Sequence, residues 1–190
     1  MKLGLYGGSF DPIHLGHLLV AQAALEELRL DRLFFIPAAQ SPFKPETQPA
    51  PAPARLQLLR LALAGNRDCE IDEQEIHRGG VSYTVDTLRD YATRFPGAEL
   101  FYLIGADNTL KLNEWREPVE LAERAAFVAI PRPGGATAIF PPPFRGQLLR
   151  GFPFAVSSSQ IRARVKAGLP ITHLVPPAVA EAIRNGNFYL

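Results

Sequence analysis

Cysteine is almost absent from this chain: Cys69 is the only one in 190 residues. One thiol excludes an internal disulfide and any metal site built from several cysteines. An excess of one charge sign is also missing, with Lys+Arg 20 against Asp+Glu 19 and a net charge of +1. There is therefore no global basic field for nucleic acid, and no basic, aromatic-rich stretch that would hold a single strand. No apolar run approaches the ~18 residues needed to cross a bilayer, and a strand pattern begins directly at the N-terminus, so no signal peptide is expected and the expected location is the cytoplasm. Lysine is scarce, confined to Lys2, Lys44, Lys111 and Lys166. The remaining positive charge is arginine, which suits bidentate phosphate contacts, although genome composition produces the same bias. What the chain does have is 47% hydrophobic and 21% charged residues, an ordinary globular balance with enough length for a real core. A single domain over residues 1–190 is expected, with 157–190 as a C-terminal helical subregion.

Extended and helical patterns alternate. Leu3–Tyr6, Leu33–Pro37, Cys69–Ile76, Leu100–Ile104 and Phe127–Ile130 read as strands. His17–Arg29, Arg55–Ala64, Ser82–Phe95 and Pro118–Ala125 read as helices, with Gly65 as a stop, Ser82 or Thr84 as an N-cap and Pro118 as a first-turn residue. Short helices over Ser159–Ala167 and Pro177–Asn185 close the chain. This order predicts an α/β fold: a doubly wound parallel sheet with a small C-terminal helical tail. Ser41–Ala54, with prolines at 42, 45, 49, 51 and 53, reads as an extended loop. Pro131–Pro153 reads as a surface excursion, or else as a lid or a homo-oligomer contact.

Four constellations carry chemistry. The first is Gly7-Gly8-Ser9-Phe10-Asp11-Pro12-Ile13-His14-Leu15-Gly16-His17, at the carboxyl end of the first strand and the start of a helix, where open α/β sheets bind ligands. Glycines admit close approach of a ligand, helix-start N–H groups favour phosphate, and imidazoles three residues apart can serve one anion. The stretch is neither a P-loop nor a G-x-G-x-x-G turn, and no third ligand beside His14 and His17 suggests zinc. The second is Ser157-Ser158-Ser159-Gln160-Ile161-Arg162: hydroxyls that can cap a helix and donate to phosphate, with an arginine in the first turn, where an anion would relieve its conflict with the helix dipole. The third is Gly105-Ala106-Asp107 with Trp115. The glycine can lie against a flat base, Asp107 can accept from ribose or base, and Trp115 either stacks on an aromatic ring or belongs to the core. The fourth, Arg78-Gly79-Gly80-Val81-Ser82-Tyr83-Thr84, sets glycines ahead of a helix start and can hold an anionic group. His77 and His173 have no such setting and read as structural or solvent-exposed.

The opening stretch and the serine block resemble the two signatures of the HxGH nucleotidyltransferase superfamily, a Rossmann-like nucleotidyltransferase fold. Gly105-Ala106-Asp107 with Trp115, and Ser82-Tyr83-Thr84-x-Asp86-Thr87-Leu88, narrow the similarity to bacterial nicotinate-nucleotide adenylyltransferase over essentially the whole chain. The resemblance implies transfer of AMP from ATP to nicotinate mononucleotide, giving deamido-NAD and pyrophosphate in NAD biosynthesis, with Mg²⁺ bound alongside ATP. It implies that His14, His17 and Arg162 are catalytic. Gly7, Gly8, Ser9, Phe10, Gly105, Asp107, Ser158 and Ile161 would line ATP; Lys44, Tyr83, Thr84 and Trp115 would bind the acceptor. No protein ligand to a metal is implied. Ser159 stands where the family usually has threonine, and Phe43 where many members have histidine. The sister phosphopantetheine adenylyltransferases share the first two signatures, but a pantetheine arm offers Trp115 no ring to stack on. A catalytically silent nucleotide-binding regulator would not need every phosphate-binding group.

Overall fold

The computed structural model describes residues 1–42, 48–131, 138–152 and 154–190. Six strands form one sheet: β1 (Lys2–Gly8), β2 (Arg32–Pro37), β3 (Cys69–Ile71), β4 (Glu99–Gly105), β5 (Ala126–Ile130) and β6 (Gly146–Leu148). All pair in parallel, in the order β3-β2-β1-β4-β5-β6. The helices are α1 (Leu15–Leu28), α2 (Ala52–Leu63), α3 (Gln74–Arg78), α4 (Thr84–Arg94), α5 (Pro118–Arg124), α6 (Ser158–Lys166) and α7 (Pro177–Asn185), with a 3-10 helix over Ala106–Glu114.

Parallel strands need covering on both faces, and their sequences are apolar nearly throughout for that reason. Leu3, Leu5, Phe34, Ile36, Tyr102 and Phe127 join Val85, Leu88 and Tyr91 of α4 and Leu121 of α5 in one buried layer. Tyr6, Leu33, Phe35, Leu103 and Val128 join α1, α2, Ile161 of α6 and Val179 and Ile183 of α7 in the other. The winding direction reverses between β1 and β4, which are neighbours with Tyr6 opposite Leu103. A crevice therefore opens at the carboxyl ends of these two strands, between Gly8 and Gly105.

Three expectations are corrected. The strand over Cys69–Ile76 stops at Ile71, and Gln74–Arg78 is helical. Asp72 turns the chain by accepting the Gln74 N–H on Oδ1 at 3.0 Å, an Asx-type contact that competes with the ladder. The proline-rich loop ends earlier than read, because α2 starts at Ala52 with Pro53 in its first turn, where a missing N–H costs nothing. The segment 131–153 is not wholly an excursion: Gly146–Leu148 pairs with β5, and Phe144 and Leu149 are buried. No described helix is long and apolar enough to cross a membrane.

Candidate active site

The two glycines that end β1 answer first to aromatic packing. A Cβ on Gly7 would collide with the Tyr102 hydroxyl, and one on Gly8 would lie 3.1 Å from Cζ of Phe10. Phe10 itself sits in the left-handed region (φ 45) and is 1% exposed, its ring edge-on to Tyr6 at 5.4 Å and to His17 at 5.1 Å. The Phe10 ring is thus core, and only its main chain can face a ligand.

The histidines come together differently from two residues on a helix face. His14 is the N-cap of α1, in extended conformation (φ −147, ψ 171), and His17 is the third helical residue. Their rings stack with centroids 3.7 Å apart and 25° between planes. Gly16 permits this, since a Cβ there would lie 3.0 Å from Nδ1 and Cε1 of His14. The His14 N–H donates to Nδ1 of His17 at 3.2 Å. An accepting nitrogen carries no proton, so neutral His17 keeps its hydrogen on Nε2, a donor for an incoming anion. Nδ1 of His14 is buried without a hydrogen-bond partner among the described residues. Burial lowers the His14 pKa to about 4, and burial, reinforced by the neighbouring His14, lowers that of His17 well below the usual value. Without an anion, both rings are neutral donors near pH 7.

The start of α6 is bound to the opening loop from the far end of the chain. Ser157 and Gln160 form a reciprocal capping box. That leaves Ser158 to donate to the Pro12 carbonyl at 2.8 Å. Arg162 donates from Nη1 to the Asp11 carbonyl at 2.7 Å and stands 3.7 Å from the Asp11 carboxylate. Ile161 is wholly buried and gives its N–H to the Ser157 carbonyl at 3.1 Å, so its side chain anchors α6 to the core. His14, His17, Ser158 and Arg162 thus gather around Asp11-Pro12. Lys44 and Phe43 lie outside the described residues.

Across the crevice, Thr84 begins α4 and Tyr83 is its N-cap. Thr84 Oγ1 bonds the Tyr102 hydroxyl at 3.3 Å. Trp115 is half-buried at the end of the 3-10 helix, edge-on to Tyr102 at 6.5 Å and to Phe127 at 6.2 Å. Trp115 therefore packs on the sheet, as its core reading expects, and is only partly covered. Gly105 ends β4, and Asp107 is exposed in the first turn of the 3-10 helix. The turn after Trp115 is held by charge: Glu117 is left-handed (φ 54), Arg89 binds Glu117, Glu120 and Asp86, and the Arg116 guanidinium lies 4.7 Å over the Tyr83 ring.

Two site residues escaped sequence reading. Tyr102 joins the two halves, its hydroxyl lying against Gly7 and bonded to Thr84; in sequence it is one more apolar strand position. Glu75, 4% exposed, accepts from Thr87 Oγ1 at 2.6 Å and from Ser82. Ser82 in turn receives the Ala39 N–H at 3.0 Å. Glu75 thereby holds the loop before α4, and burial pushes its pKa up despite these bonds. The Gly79-Gly80 pair in that loop, both at positive φ, was the only local hint. Among the described residues no group of three or more His, Cys, Asp or Glu could hold a metal ion.

Residues 5–164 match the cytidylyltransferase-like family. Relatives named "Probable nicotinate-nucleotide adenylyltransferase" include one from Opitutus terrae, 39% identical over 196 residues, covering 100% of this chain and 98% of its own. Another, from Thermus thermophilus, is 42% identical over 189 residues and covers 100% of both. Among solved structures, the Plasmodium falciparum nicotinic acid mononucleotide adenylyltransferase complexed with NaAD superposes with a TM-score of 0.80 at 20% identity, covering 99% of this chain and 97% of its own. At that identity the superposition speaks for the fold, while the relatives near 40% identity speak for the lineage. The chain belongs to the cytidylyltransferase-like family and, within it, to the nicotinate-nucleotide adenylyltransferases.

Proposed function

We infer that this protein transfers AMP from ATP to nicotinate mononucleotide, releasing pyrophosphate and forming deamido-NAD. The observation that carries this reading is the meeting of Arg162 and Ser158 with Asp11-Pro12, beside the stacked His14 and His17, at the sheet's switch point. A nucleotide laid across that point would have its triphosphate on these groups and its acceptor toward Tyr83, Thr84 and Trp115.

The nucleophile is a phosphate oxygen of the mononucleotide, already largely dianionic at pH 7 because its second pKa is about 6. No general base is required. The barrier is repulsion between anions, together with the in-line placement of attacking and leaving oxygens about the α-phosphorus. His17 donates from Nε2, His14 from whichever nitrogen faces the phosphates, and Arg162 turns its guanidinium from the Asp11 carbonyl toward the departing pyrophosphate. Such preorganised donors act where charge builds in the transition state. Mg²⁺ takes its ligands largely from phosphates and water, which suits a site with no cluster of three such side-chain ligands among the described residues, and when bound it would offset phosphate charge. Lys44 adds a cation from the proline-rich loop.

The N–H groups at the start of α4, behind Tyr83 and Thr84, favour a carboxylate over a carboxamide, whose own N–H donors they would oppose. The test is pyrophosphate release with ATP and three acceptors: the acid mononucleotide, the amide mononucleotide and phosphopantetheine. Strong preference for the acid is expected. Equal rates on acid and amide would remove the assigned role of the α4 start, and preferred use of phosphopantetheine would overturn the function.

A further inference from the structure

The most deeply buried charged side chain among the described residues lies beside the opening loop and outside the groups assigned above. Arg55, in the first turn of α2, is 1% exposed. Its Nη1 donates to the Ser9 carbonyl at 2.8 Å and its Nε to the Ala50 carbonyl at 2.9 Å. Asp11, 6% exposed, supplies the opposing charge, and its Oδ1 accepts the Ala50 N–H at 3.3 Å. Ala50, at the end of the proline-rich loop, is thus gripped through both its carbonyl and its amide. Burying a guanidinium is costly, and an apolar side chain would fill the same place without that cost. The arginine therefore needs a use beyond packing.

Peptide geometry supplies one. In a trans peptide the C=O and the following N–H point in opposite directions. Tying the Ser9 carbonyl down to Arg55 turns the Phe10 N–H away from the core side. Arg162 ties the Asp11 carbonyl on the other flank at 2.7 Å. Phe10 lies between them at φ 45, a conformation a non-glycine residue keeps only when its surroundings impose it. Among the described residues its N–H donates to no acceptor, and an orphaned amide on so buried a residue calls for a partner from outside the fold.

We propose that Arg55 is a positioning residue for ATP: by holding the Ser9 and Ala50 carbonyls together, it sets the Phe10 amide toward the triphosphate and fixes the proline-rich loop to the nucleotide loop. This rests on the opening loop being the triphosphate cradle. Arg55 touches no substrate and acts only through main-chain groups.

The test compares the full-length protein with Arg55→Lys and Arg55→Leu, by melting temperature and by separate KM values for ATP and nicotinate mononucleotide. Lysine keeps the charge but has one nitrogen and cannot span both carbonyls; leucine fills the space without donors. Both variants are expected to raise KM for ATP about 10- to 100-fold, the loss associated with hydrogen bonds from a charged donor, while KM for the mononucleotide stays put. A purely structural arginine would lower the melting temperature and the active fraction but leave KM for ATP unchanged in the folded enzyme. That result, or an equal rise in both KM values, overturns the proposal. Where neither variant folds, ¹⁵N resonances of the parent decide: the Phe10 amide must shift on titration with ATP, and an unmoved amide in an active enzyme overturns the proposal. A parent without acceptor-dependent pyrophosphate release would instead refute the nucleotide site itself.

Discussion

Gly7 and Tyr102 offer a sharp test of how the two halves of the site are joined. A methyl on Gly7 would occupy the place of the Tyr102 hydroxyl. That ring cannot swing aside, being 6% exposed and packed against Trp115 and Phe127 at centroid distances of 6.5 and 5.8 Å. Gly7→Ala is therefore overpacking, expected to cost about 1–3 kcal/mol, less up to ~1 kcal/mol regained from a stiffer unfolded chain. Tyr102→Phe alone removes the 3.3 Å bond to Thr84 and should cost about 1 kcal/mol. In the double variant the clash is gone, and the nearest ring atom, Cζ, lies 3.3 Å from the new methyl, a contact that a shift of a few tenths of an ångström relieves. The pair should then be less destabilising than the sum of its parts, with a coupling of about 1–2 kcal/mol. Urea denaturation of all four proteins of the cycle measures it, with about 2–4 °C in melting temperature per kcal/mol as a check for a chain of this size. KM for both substrates should rise in Gly7→Ala and recover in the double variant, because Tyr102 touches both halves. Additive stability losses would refute the coupling, and a Gly7→Ala protein as stable as the parent would refute the steric argument.

His17→Ala should lower kcat by about 10²–10³-fold while the far-ultraviolet circular dichroism spectrum is retained, since the cost to the fold is local, one acceptor for the His14 amide and the ring contacts with His14 and Phe10; near-normal turnover would remove His17 from the chemistry. Trp115→Ala should raise KM for the mononucleotide about 10- to 100-fold, the range of a lost aromatic stack, and leave KM for ATP untouched in initial-rate assays. Acid should destabilise the fold through His14: its folded pKa is about 4 against an ordinary 6.5. Between these values the unfolded chain takes up a proton that the folded chain refuses, so this part of the stability is intact above pH 6.5 and falls away as pH drops toward 4. Denaturant midpoints measured across that window should slope less in His14→Gln than in the parent.

The sheet and most of its helices were legible because their signals are local. Pro177–Asn185 was bounded by a first-turn proline and a glycine stop, and the β1 and β4 runs by glycines at the crevice. α3 spans five residues, too short for a helical period to register. β6 is exposed along its length and carries no apolar alternation, so only its pairing with β5 reveals it. In the candidate site, His14 and His17 stood out because histidine is rare in this chain and their spacing is tight, and Arg162 because it follows a run of serines at a helix start. Arg55 was not, because a charge in the first turn of an amphipathic helix reads as a solvated residue, and its burial is decided by Ser9, Asp11 and Ala50, remote in sequence. Glu75 and Tyr102 were hidden in the same way, as an acid in a polar stretch and an aromatic in a strand.

The bonds that carry Ser158 to Pro12 and Arg162 to Asp11 span 146 and 151 residues of sequence. A ribosome must therefore have reached Arg162 before the loop after β1 can meet both of these partners. Until then the early strands can pair and shelter their side chains, but Asp11 and Pro12 lack the two contacts that hold them to the start of α6.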